Sequence, residues 1–134
     1  MTGPDPVAPA RRRSLRSLRF VPALLWAAGI WWLSSQSDPP GSGLALVPHA
    51  DKLAHAGLFG TLALLLWAAH VRPWLAVALA TGWGIVDEVH QAFVPGRTPE
   101  LLDVVADATG AVVAVALAEA VRVRWFADRG RTPG

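Results

Sequence analysis

Apolar residues run along this chain in long blocks instead of alternating with polar ones, and those blocks set its organisation. A helix needs about 20 apolar residues to cross a bilayer, and four segments approach or reach that length. The first, Phe20 to Leu33 (FVPALLWAAGIWWL), is short by itself and uses Ser34 to Ser37 at the interface to complete a span. The second runs from about Asp51 to Ala69, a VRP turn at 71–73 reverses the chain, and the third runs from Trp74 to about Phe93. After the turn signal Val94-Pro95-Gly96, Thr98 serves as N-cap with Pro99 at the first helical position, opening a fourth span to about Val121. The pattern predicts an all-α fold, an integral membrane bundle of four transmembrane helices over residues 20–121. Residues 1–19 read as a basic flexible arm and residues 122–134 as a basic tail. Residues 37–50, rich in Pro, Gly and Ser, read as a loop in which Leu44 to Val47 dip back into the interface. A basic arm before an apolar run also describes a signal peptide, but no small-x-small site follows Trp31 and Trp32, which favours an uncleaved first helix.

Composition strengthens the membrane reading. Apolar residues make up 53% of the 134 and charged ones 16%, against roughly a quarter charged in soluble proteins. There is no cysteine, which excludes disulfides, thiolate metal sites and a Cys nucleophile. The net charge of +2 hides an uneven distribution. Ten basic residues fall in the arm, the 71–73 turn and the tail, and only Lys52 and Arg97 fall on the opposite side. By the bias of basic residues toward the cytoplasm, both termini are expected to be cytoplasmic in a multi-pass cell-membrane protein. Trp67, Trp74 and Trp125 then lie at the inner interface and Trp31 and Trp32 near the outer one, where indoles are favoured. The expected partner is the lipid bilayer, with no nucleic acid and no cofactor.

In this orientation the costly residues gather at the outer end. Asp51, Lys52 and His55 open the second span, Asp87, Glu88, His90 and Gln91 close the third, and Arg97, Glu100, Asp103 and Asp107 surround the start of the fourth. At about 1.5 Å per residue, His55, Asp87 and Asp107 sit roughly 5 to 10 Å below the boundary on three different helices, where they can meet. Asp103, Asp107, Gly110 and Ala114 share one helical face, a small and acidic stripe that admits a close neighbour. Asp51, Glu100 and Asp103 lie in first turns, where the helix dipole alone accounts for a carboxylate. Asp87 and Glu88 lie in last turns, where it does not, so a cationic partner, a shared proton or a metal is required. Six carboxylates face two fixed cations at this end. Dense metal motifs such as HExxH or an EF-hand loop are absent, and no metal site is expected. His49 and His70, near loops, read as interface residues.

SSQS at 34–37, DKLAHAGLFG at 51–60 and DEVHQAFVPGRTPELLDVVADATG at 87–110 resemble the VanZ-like membrane proteins, over roughly residues 20–118. The last block is the most specific, through Asp87, Glu88, Gln91, Phe93, Pro95, Gly96, Arg97, Asp103 and Gly110. At position 107 the family pattern has Asn and this chain Asp, which keeps an acceptor and loses an amide donor. The resemblance implies a small multi-spanning protein linked to susceptibility to teicoplanin-type glycopeptide antibiotics, and supplies no reaction. The leading expectation is a binding or envelope-modulating protein whose outward polar pocket, built from Asp51, His55, Asp87, Glu88, Gln91, Arg97, Asp103 and Asp107, engages an amphiphile or lipid headgroup. Arg97 is expected to pair with Glu88 or contact a phosphate. The alternative is a membrane-embedded enzyme acting on a lipid-linked or cell-wall substrate, with Asp87 or Glu88 as base and His55 or His90 as proton donor. Ion transport fits poorly, because the inner halves of the last three spans have only Thr81 as a polar neighbour. A purely structural role for the cluster is the remaining reading.

Overall fold

The computed structural model describes residues 17–38 and 49–129. A 3-10 turn at Leu18–Phe20 leads into α1 (Val21–Ser34), followed by α2 (Ala50–Ala68), α3 (Pro73–Gln91) and α4 (Leu101–Arg129), with no strand among the described residues. The all-α expectation holds. Most of the basic arm, the dipping segment Leu44 to Val47 and the end of the tail lie outside the described residues.

Local chemistry explains where the helices stop. At the end of α2, the His70 N–H donates to Trp67 O at 2.9 Å and the Val71 N–H to Leu66 O at 3.2 Å, a Schellman closure with His70 at φ 63° where glycine is usual. Pro73 then starts α3 at a position that has no use for an N–H. After α3, the Arg97 N–H donates to Val94 O at 3.1 Å. Pro95 and Gly96 fill the corners of this turn, Gly96 at φ 82°, as a type II turn demands.

Two boundaries differ from expectation. α4 begins at Leu101, not Pro99, and the Glu100 N–H, which would have no partner inside the helix, bonds the Glu88 carboxylate. α4 also continues to Arg129, through the stretch expected to be a tail, since nothing between Val121 and Arg129 breaks a helix.

The packing is inverted relative to a water-soluble protein. The buried apolar residues are mostly Ala, with Ile30, Phe59, Leu62 and Val115, whereas Leu24, Leu25, Trp32, Trp74, Val89, Leu117, Trp125 and Phe126 are exposed. Buried among the small residues are Asp87, Glu88, Gln91, Asp103 and Asp107. Large apolar side chains outside and polar ones inside suit a lipid surround. By length and composition α4 is able to cross a membrane, and α1 is a shorter apolar helix. These features point to membrane association.

α2 and α4 form the most extensive helix pair, α3 packs on both, and α1 lies against α2 and α3. Glycine permits the α2–α4 approach: a Cβ on Gly110 would lie 2.6 Å from Ala56 Cα, and one on Gly60 would lie 3.0 Å from Gly110 O. This contact falls immediately beside His55 and one turn from Asp107, so it also sets the spacing of the polar groups.

Candidate functional site

The C-terminal ends of α1 and α3 and the N-terminal ends of α2 and α4 meet at one end of the bundle, and there the polar side chains converge. His55 is the hub. Its Nδ1 donates to Asp107 Oδ1 at 3.0 Å, and its Nε2 lies 3.8 Å from Asp103 Oδ2. Lys52 holds three carboxylates: Asp103 Oδ1 and Glu100 Oε2 at 2.6 Å each, and Asp51 Oδ2 at 3.0 Å. Asp107 is fully buried, its carboxylate lodged against Gly84, where any Cβ would collide with it.

Asp87 and Glu88 find neutral partners, not the cation that their place in a last turn calls for. Asp87 Oδ2 accepts from Gln91 Nε2 at 3.1 Å, and Glu88 Oε2 accepts from the Glu100 N–H at 2.7 Å. Their second oxygens, with Asp107 Oδ2 and Ser34 Oγ, are buried without a hydrogen-bond partner among the described residues. Desolvating such an oxygen costs about 1–3 kcal/mol, more if it is charged, so this end retains unused capacity to bind something.

Arg97 does not pair with Glu88. Its Nε donates to Gln36 O at 3.1 Å and its Nη2 to Leu33 O at 3.4 Å, so the guanidinium bonds one carbonyl in the last turn of α1 and one just beyond its end. The Pro95-Gly96 turn aims it there, and a helix C-terminus welcomes a cation. His90 is also separate from the His55 cluster. It stacks on Trp31 with ring centroids 3.9 Å apart and lies 3.0 Å from Ser35 Oγ. The Ser35 hydroxyl already donates to Trp31 O at 2.7 Å, so His90 Nε2–H is the donor to it. His90 therefore fastens α1 to α3 and stands apart from the acids with which it was grouped.

Of the residues singled out from sequence, Asp51, His55, Asp103 and Asp107 form one network, with Glu88 tied to it through Glu100. Asp87, Gln91, Arg97 and His55 line an adjoining cavity of about 40 Å³ with Ser34. That is room for about one water molecule, so a larger ligand meets the rim and not the interior. Sequence reasoning undervalued Lys52 and Ser34. The signals were present: Lys52 is the one lysine beside eleven arginines, and Ser34 sits in the SSQS segment. A separate apolar groove of about 900 Å³ runs between α2 and α4, from Ala56 and Gly57 beside His55 to Arg122 and Trp125.

The blocks that build this site are those that resemble VanZ-like proteins, and the sequence model of the VanZ/LLP1 family matches residues 8–122. The chain belongs to the VanZ/LLP1 family. No curated protein and no solved structure matches it. For this VanZ/LLP1 protein the family blocks therefore acquire a physical meaning: DKLAHAG supplies the cation and the imidazole, and the PGR turn supplies the clasp on α1.

Proposed function

We propose that this VanZ/LLP1 protein is a four-span cell-membrane protein with cytoplasmic termini that modulates the cell envelope by binding an amphiphile at its outward polar end. The observation that carries the reading is the convergence of acids, an imidazole and a lysine from three helices at one end of a bundle whose helix surfaces expose many large apolar side chains. The headgroup sits at the rim formed by Asp51, Lys52 and Glu100, and an acyl tail follows the α2–α4 groove, whose upper end adjoins His55. The groove covers about 15 residues of α4, from Gly110 to Trp125, or roughly 22 Å at 1.5 Å per residue, the length of a lipid chain. With Asp51 and Glu100 as its exposed acids beside Lys52, and with Arg97 committed elsewhere, the rim favours a headgroup bearing a cationic group over a bare phosphate. Reduced susceptibility to teicoplanin-type glycopeptides is the expected phenotype.

Orientation and binding are tested together. The chain has no cysteine, so Thr98→Cys in intact cells should react with a membrane-impermeant maleimide; reaction only after lysis overturns the orientation. Binding of a labelled cationic amphiphile to the purified protein should fall at least tenfold in Asp51→Asn. Unchanged binding and unchanged susceptibility in Asp51→Asn and Asp87→Asn variants that insert normally would sink the binding reading.

One observation favours the enzymatic alternative. An imidazole oriented by a buried carboxylate, with its second nitrogen facing other acids, is the arrangement of a general acid or base. Incubation with labelled envelope lipids separates the two readings. Product that disappears in His55→Gln supports catalysis, and saturable binding without product supports the binding protein.

A further inference from the structure

We propose that His55, Glu88 and Asp103 form a divalent metal site where α2, α3 and α4 meet, with Zn²⁺ the best-matched ion. Each residue offers one donor atom, and the three donors lie within 4.8 Å of one another. Donors about 2.0–2.2 Å from a tetrahedral ion stand roughly 3.4 Å apart. The 3.8 Å between His55 Nε2 and Asp103 Oδ2 closes to that value with a small side-chain rotation.

What distinguishes this trio from a mere acidic cluster is that one polar atom of each member already has a neighbour that orients it, while a deeply buried Glu88 oxygen has no hydrogen-bond partner among the described residues. Asp107 Oδ1 takes the His55 Nδ1–H at 3.0 Å, which fixes the tautomer and leaves the Nε2 lone pair facing Asp103. Lys52 takes Asp103 Oδ1 at 2.6 Å, leaving Oδ2 on the imidazole side. The Glu100 N–H takes Glu88 Oε2 at 2.7 Å, and the remaining Oε1 is buried without a partner on a residue only 6% exposed. A carboxylate behind a ligating histidine is the usual outer support of a metal centre. Asp51, Glu100 and Asp103 also lie close together, but the Lys52 ammonium stands among their oxygens at 2.6–3.0 Å, where a metal ion would have to displace it, while the outer faces of Asp51 and Glu100 remain exposed.

The donor set selects the ion. One imidazole and two carboxylates suit zinc and its transition-metal neighbours, whereas Mg²⁺ and Ca²⁺ require more oxygen ligands. Three protein ligands leave a fourth position open, as in catalytic rather than structural zinc sites. The cation would also offset the carboxylate excess around Asp107, Asp87 and Glu88. The site does not depend on the amphiphile reading, and its test uses no lipid ligand.

The experiment is metal titration of the purified, chelator-stripped full chain in detergent, with Zn²⁺ followed by elemental analysis and Co²⁺ by its visible absorption. One equivalent per chain is expected, with the intense bands of a four-coordinate cobalt site. His55→Gln and Glu88→Gln should each weaken binding at least a hundredfold. Asp107→Asn, which acts only through His55, should weaken it about tenfold to a hundredfold. Glu119→Gln, which alters the Trp67 contact near the opposite end, should leave it unchanged. Near-ultraviolet circular dichroism of the tryptophans confirms that each variant is folded. Failure of the folded parent chain to bind Zn²⁺ or Co²⁺ at micromolar concentration overturns the proposal, as does full-strength binding by both His55→Gln and Glu88→Gln.

Discussion

Gly110→Ala tests the link between helix approach and the polar site. A Cβ at this position would fall 2.6 Å from Ala56 Cα and carbonyl carbon and collide with Ala56 O. Carbon atoms rest about 3.5–4.0 Å apart, so α2 and α4 must separate by roughly 1 Å. The obstacle is backbone, which no rotamer change relieves, and Gly60 confronts Gly110 O one turn along, at 3.0 Å from its would-be Cβ. The His55–Asp107 hydrogen bond, 3.0 Å long, spans the same two helices beside the clash and would stretch to about 4 Å, beyond bonding range. Overpacking costs about 1–3 kcal/mol, and losing a hydrogen bond to a charged group about 1.5–3 kcal/mol. The better helix propensity of alanine returns about 1 kcal/mol, leaving a net loss of about 1.5–5 kcal/mol. The control is Gly82→Ala on α3, where nothing lies within 4 Å of the added atom and a gain of about 0.5–1 kcal/mol is expected. Reversible unfolding in mixed detergent and dodecyl sulfate micelles, read by tryptophan fluorescence, measures both. If Gly110→Ala proves as stable as Gly82→Ala, the close-approach account is wrong.

Three further outcomes are expected. Arg97→Ala removes the bonds to Leu33 O in the last turn of α1 and to Gln36 O just beyond it, and should cost about 1–3 kcal/mol while loosening α1; Arg97→Lys should recover only part, because an ammonium lacks the fork that reaches both carbonyls. Limited proteolysis reports on α1, and full recovery by lysine contradicts the reasoning. Asp107→Asn keeps an acceptor for the His55 Nδ1–H and should cost no more than about 1 kcal/mol, whereas Asp107→Ala, which leaves that donor unpaired, should cost about 3 kcal/mol. Equal losses in thermal unfolding would show that the bond is not the source of stability. His70→Gly relieves the left-handed backbone at φ 63° and should stabilise by about 0.5–1 kcal/mol, with no comparable gain from His70→Ala; equal melting temperatures for the two variants would remove strain as the explanation.

The helices themselves, their order, and the gathering of polar residues at one end were legible in the sequence, because hydropathy and turn chemistry act over a few neighbouring residues. Pro73, Pro95 and Gly96 work where the turn signals put them, and the shared face of Asp103, Asp107 and Gly110 follows from helical spacing alone. α4 starts at Leu101, beyond the Pro99 start that the local capping signal at Thr98 predicts, and the bond from the Glu100 N–H to Glu88 that marks its entry joins distant residues and is not legible locally. Which partner each polar group takes was decided only by tertiary structure. Arg97 reaches α1 instead of Glu88, His90 stacks on Trp31, and Lys52 collects three carboxylates. Such pairings depend on the rotation of each helix about its axis and on how nearly two backbones touch. Gly60, Gly84 and Gly110 set that closeness by omitting a side chain, and their effect is invisible until the opposing helix is in place.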